Sequence, residues 1–62
     1  MKVKFLNKEF EFEKTLRVYE LLKKLNLNYE EVVVVKNGEV LADDDLIKEN
    51  EEVEIINVVS GG

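Results

Sequence analysis

One stretch of helical period stands between two stretches of strand-like alternation, and this order limits the folds open to the chain. Val18, Leu21, Leu22 and Leu25 fall at i, i+3, i+4 and i+7, which is one face of an α-helix. Glu20, Lys23 and Lys24 occupy the opposite face, with Glu20 placed to pair with Lys24 at i+4. Thr15 is the nearest capping residue, and a later start would put Arg17 at the cap. Asn26 and Asn28 bracket Leu27, and asparagine ends helices by entering the left-handed region. The spacing predicts a helix of about 9 to 11 residues, which needs packing to be stable.

On the N-terminal side, Val3 and Phe5 alternate with Lys2 and Lys4. Phe10 and Phe12 then alternate with Glu9, Glu11 and Glu13. With Asn7-Lys8 between them, the two runs read as a β-hairpin. On the other side, Val32 to Val35 is an unbroken β-branched run. Asn37-Gly38 separates it from Val40-Leu41, and that dipeptide favours a type I′ turn because both central residues need φ > 0. A two-residue loop there sets Lys36 opposite Glu39 and Val35 opposite Val40. Leu46 and Ile47 are expected to return to the core from a single helical turn. Glu52 to Val59 forms the last strand.

A lone helix between hairpins must cover one face of a mixed sheet. The right-handed crossover rule then places the first and last strands side by side at the centre. The expected core is Val3, Phe5, Phe10, Phe12, Val18, Leu21, Leu22, Leu25, Leu46, Val53 and Ile55. Pattern alone leaves open whether Val32/Val34 or Val33/Val35 join it.

With 62 residues and neither Cys nor His, the chain has no disulfide and none of the usual zinc ligands to staple it. Its net charge of −5 argues against nucleic acid and suits a partner with a basic surface. No apolar run of about 18 residues and no leader-like start is present, so a soluble, cytoplasmic protein off the membrane is expected. Charged residues reach 37%, rich in Lys and Glu, and Pro is absent, which points to a thermophilic source.

Catalysis by this chain is not expected. The Ser-His and Cys-His pairs are excluded, and Ser60, its one serine, has no base beside it. Gly38 stands alone rather than in a phosphate loop. Asp43-Asp44-Asp45 lacks the spacing of a cation loop and reads as a solvated turn. Two features remain. In the last strand the outward face changes from Glu52 and Glu54 to Ile56 and Val58, and Leu6 could join that apolar patch. The sequence then ends in Ser60-Gly61-Gly62, a thin, pliant segment suited to a narrow channel.

These features together resemble the ubiquitin-like sulfur carriers, the ThiS/MoaD family, over nearly the whole chain. The resemblance rests on Arg17-Val18-Tyr19-Glu20-Leu21-Leu22, on the valine run with Lys36-Asn37-Gly38-Glu39, and on Glu51 through Gly62. The terminal Gly61-Gly62 is its most specific part. Arg17, where the family often has Thr or Ser, and Asn50-Glu51, where it often has Gly-Asp, depart in capping and turn details. The resemblance implies an α+β fold, the β-grasp. A mixed four- to five-stranded sheet would carry one helix on one face, over residues 1–59, with a tail of 60–62.

By the same resemblance the protein binds no cofactor and is not itself an enzyme. An E1-like adenylyltransferase would use ATP and Mg to adenylate the Gly62 carboxylate, and a sulfur donor would convert it to a thiocarboxylate. Gly61 and Ser60 would thread the channel, and Leu6, Ile56, Val58 and Val59 would dock. The acceptor would be thiazole synthase in thiamine biosynthesis. The alternatives are the large subunit of a molybdopterin or tungstopterin synthase, conjugation to proteins through Gly62, or a plain interaction module with an incidental tail.

Overall fold

The computed structural model describes residues 1–58. Its elements in order are β1 (Lys2–Phe5), β2 (Lys8–Glu11), β3 (Leu16–Arg17), α1 (Val18–Lys24), β4 (Val32–Lys36), β5 (Glu39–Leu41), β6 (Leu46–Ile47) and β7 (Glu52–Asn57). The alternation in the first two strands sets Val3 opposite Phe10 on one face. On the other face Lys2 lies opposite Glu11 and Lys4 opposite Glu9. The turn is Leu6-Asn7 rather than Asn7-Lys8, because Lys8 is drawn into the ladder opposite Phe5. Leu6 therefore carries φ of 57°, a conformation that costs a leucine about 1–2 kcal/mol.

The helix is shorter than its spacing predicts because both ends are claimed by other contacts. Leu16 and Arg17 pair antiparallel with Ile47 and Leu46, which keeps them extended. Arg17, not Thr15, is the N-cap. Arginine has no acceptor to offer the first turn, so the turn is satisfied from elsewhere. The Glu20 carboxylate accepts the Arg17 N–H at 2.8 Å. The carbonyls of Asp45 and Asp43 accept the N–H groups of Val18 and Tyr19 at 3.0 and 2.9 Å. At the far end Asn26 turns at φ of 60°. There the N–H of Leu27 reaches the Leu22 carbonyl at 2.8 Å and that of Asn26 the Lys23 carbonyl at 3.1 Å. This is a Schellman closure with Asn in the left-handed position.

The Asn37-Gly38 turn forms with φ of 52° and 82°. It gives the register Lys36 to Glu39 and Val35 to Val40 that its length requires. The main sheet has five strands in the order β2-β1-β7-β4-β5, with β1 and β7 parallel at its centre. One helix packs on one face, which is the β-grasp arrangement.

Val3, Leu21, Val34, Ile47 and Val53 are fully buried at the centre of the core. Phe5, Phe10, Phe12 and Leu25 pack against it from the rim. Val32 and Val34 are the inward pair of the valine run, and Val33 and Val35 are half-buried. Leu46 corrects the expected core: it is exposed, and its neighbour Ile47 is buried instead. The cause is that residues 46–47 form a strand, not a helical turn, and in a strand adjacent side chains face opposite ways. Met1 and Leu16 also enter the core. The Met1 ammonium donates to the Phe12 carbonyl at 2.7 Å and to the Glu49 carbonyl.

Candidate functional site

The last strand carries the chain towards its C-terminus through the middle of the sheet. Val53 and Ile55 are buried under the helix, and Glu52, Glu54 and Ile56 face the other way. On β4, Val33 lies opposite Ile56 and Val35 opposite Glu54, and Val35 lies in turn opposite Val40 of β5. The outer face is thus divided. Its β4 and β5 side, with the end of β7, presents Val33, Val35, Val40 and Ile56. Its β1 and β2 side presents Lys2, Lys4, Glu9 and Glu11 beside Glu52 and Glu54.

Exposure makes the apolar half notable. Val40 is 65% exposed, Ile56 42% and Val58 55%. An exposed apolar cluster of this kind is the candidate contact surface. Val58 leaves the ladder with its N–H donating to the Glu31 carbonyl at 2.9 Å. Leu6, 75% exposed, sits one step beyond the Phe5–Ile55 pair, at the end of the sheet where Ile56 lies. It stands in the turn after β1 rather than in a strand. The structure therefore brings Leu6, Ile56 and Val58 to one end of the molecule. Val59, Ser60, Gly61 and Gly62 lie outside the described residues.

Val33, Val35 and Val40 were not singled out from the sequence. The sign was present: a strand apolar on both faces has a second surface to cover, and the Asn37-Gly38 register puts Val40 beside Val35.

Some of the acidic side chains serve the fold. Asp45 accepts the Ala42 N–H through Oδ2 at 2.7 Å, and the Asp44 carbonyl accepts from Arg17 Nη1 at 2.8 Å. These bonds hold residues 42–45 against the start of the helix. Glu51 accepts the Lys48 N–H at 2.8 Å and the Lys36 ammonium at 3.0 Å. The Lys48 amide, then the Lys36 ammonium, hold its carboxyl below the usual carboxylate range. Among the described residues no group of three His, Cys, Asp or Glu is arranged to hold a metal ion. None of their helices is long and apolar enough to cross a membrane.

Three comparisons bear on this geometry. The ThiS family model matches residues 2–62. Sulfur carrier protein TtuB of Thermus thermophilus is 36% identical over 55 residues, which are 89% of this chain and 85% of that protein. The crystal structure of a thiamine biosynthesis protein (ThiS) from Geobacter metallireducens shares the fold with a TM-score of 0.68 and 32% identity, over 100% of both chains. A family match reaching the final glycine, on a fold shared along its full length, shows that the chain belongs to the ThiS family.

Proposed function

We propose that the protein is a sulfur carrier whose Gly62 carboxylate is activated and loaded by partner enzymes. The observation that carries this reading is the family match through Gly61-Gly62 on a chain whose last strand ends beside an exposed apolar face. On this reading the chain supplies the Gly62 carboxylate and an apolar surface for the partner, and the partner supplies the catalysis. In the partner, a carboxylate oxygen of Gly62 attacks the α-phosphorus of ATP and pyrophosphate leaves. Magnesium and cationic groups there stabilise the charge. A sulfide-level nucleophile from a donor protein then adds to the acyl carbon and AMP departs, leaving a thiocarboxylate.

Leu6, Ile56, Val58 and Val59, together with Val33, Val35 and Val40, form the docking surface for the activating enzyme. The acidic remainder of the protein, at net charge −5, steers it towards a basic rim on that partner. Thiazole synthesis for thiamine is the favoured destination of the sulfur. The full-length likeness to a thiamine biosynthesis protein supports it.

Intact mass spectrometry of the protein from its native host tests the reading. A gain of about 16 Da, oxygen replaced by sulfur, is expected on the C-terminal residue as the mark of the covalent intermediate. A mass that stays unmodified after incubation with ATP, the activating enzyme and a sulfur donor overturns it. Supplying the loaded protein to thiazole synthase and to molybdopterin synthase large subunit then identifies the acceptor.

A further inference from the structure

We propose that the open edge of β2 is a second interaction surface. It takes an extended segment of alternating basic and apolar residues from a partner protein. This goes beyond the carrier reading and uses none of the residues at the end of β7.

In an antiparallel pair, opposed residues alternate between pairs that exchange both main-chain bonds and pairs that exchange none. Met1 and Phe12 exchange both, with the Phe12 N–H on the Met1 carbonyl at 2.9 Å and the Met1 ammonium on the Phe12 carbonyl at 2.7 Å. Stepping along the register, Val3–Phe10 and Phe5–Lys8 are bonded pairs, and Lys2–Glu11 and Lys4–Glu9 are not. The Lys2 N–H agrees, since it turns to the opposite side and reaches the Glu51 carbonyl at 3.0 Å. The N–H and C=O groups of Glu9 and Glu11 therefore point away from β1, out of the sheet. β2 is its terminal strand.

The opposite edge is shorter, and it is blunted past Val40. On β5 the Val40 groups face outward by the same argument. At the next outward residue, however, the Ala42 N–H is held by Asp45 Oδ2 at 2.7 Å. The Ala42 carbonyl accepts the Asp45 N–H at 3.1 Å. Edges are commonly blunted in this way. Among the described residues no comparable bond covers Glu9 and Glu11.

Side chains define the occupant. Glu9 and Glu11 stand on the outer face, and Phe10 lies on the helix face, half-buried at the core rim. The paired side of β2 already shows what it accepts: Lys4 opposite Glu9, Val3 opposite Phe10 and Lys2 opposite Glu11. A second strand of that pattern repeats those pairs on the open side. Past Glu11 the edge runs into an open hollow of about 590 Å³ lined by Phe12, Glu13, Glu49 and Glu51 among others, where a further basic side chain fits. A second copy of this chain is disfavoured, because antiparallel pairing of two β2 strands about Phe10 sets Glu9 against Glu11.

The test is an amide NMR titration of the full chain with a capped Lys-Val-Lys-Val-Lys peptide to millimolar concentration. Expected are shift changes centred on Glu9, Phe10 and Glu11, with slowed amide hydrogen exchange at Glu9 and Glu11. The E9K/E11K variant is expected to bind that peptide about tenfold more weakly and to bind a Glu-Val-Glu-Val-Glu peptide instead. Three outcomes overturn the proposal: no shifts, shifts centred on Val33, Val35, Val40 and Ile56, or scattered shifts without slowed exchange at Glu9 and Glu11. The wild-type protein alone decides the matter should the variant not fold. The titration needs neither ATP nor an activating enzyme, so its failure leaves the Gly62 reading standing, and the reverse also holds.

Discussion

Leu46 and Ile47 are adjacent and equal in size, and they meet opposite environments: Ile47 is fully buried and Leu46 is 45% exposed. Truncating Ile47 removes core contacts and leaves a cavity. Ile47→Ala is therefore expected to cost about 2–5 kcal/mol, and Leu46→Ala under about 1 kcal/mol. Chemical denaturation of both variants checks this, and equal losses would refute the strand assignment at 46–47. Glu51 governs a different property. The Lys48 amide and the Lys36 ammonium lower its pKa in the folded protein. Its contribution to stability is then fully present above the unfolded carboxylate pKa and is lost as pH falls through the lower folded value. Glu51→Gln is expected to lower the melting temperature slightly at neutral pH and to converge with the wild type as pH falls below about 5, so that the acid limb flattens. An unaltered acid limb would show that other carboxylates govern it.

Strand β7 combines two tasks through its period of two. Val53 and Ile55 join the core, and Ile56 stands on the exposed side of the same six-residue strand. A substitution at Ile56 therefore tests the proposed docking role apart from folding. Ile56→Asp puts a charge into the middle of the apolar half of the outer face. It is expected to weaken binding of the activating enzyme by about tenfold or more, with a small change in stability because the side chain is 42% exposed. Calorimetric titration gives the first quantity and thermal melting the second. Unchanged affinity would remove Ile56 from the docking surface. The helix shows the complementary point. Its seven residues are too few to be stable alone, and its first N–H groups are satisfied by carbonyls of the 43–45 turn, so it holds its place only as part of the folded unit.

Across the molecule, stability and function are assigned to different regions. The core cluster joins the helix to the inner face of the sheet. The candidate chemistry lies on the final glycine, beyond the strand that leads to it. Deleting Gly62 is expected to abolish sulfur loading and to shift the melting temperature by less than about 2 °C. Loading followed by mass spectrometry, alongside a thermal melt, checks both halves. A large drop in melting temperature would mean that the last residue packs on the domain, which contradicts a presented carboxylate.

Local features of the chain were legible before folding was considered. The Asn37-Gly38 turn specifies its own register, because two residues at positive φ admit one way to pair the flanking strands. The 3.6-residue stripe Val18, Leu21 and Leu22 names the buried face of the helix. Alternation likewise marks Val53 and Ile55 as inward and Ile56 as outward. Gly61-Gly62 pointed to the family through resemblance, and the family match bears that out. Contacts between distant segments settled the rest. Val32 and Val34 rather than Val33 and Val35 face the helix because β4 is fixed by its ladder with β7. The helix begins at Val18 because Leu16 and Arg17 are held by Leu46 and Ile47. The outer face carries Val33, Val35, Val40 and Ile56 together because β7, distant in sequence, pairs with the β4–β5 hairpin in the sheet. A four-residue run of one side-chain type has no preferred face of its own, so the pairing partner had to choose it.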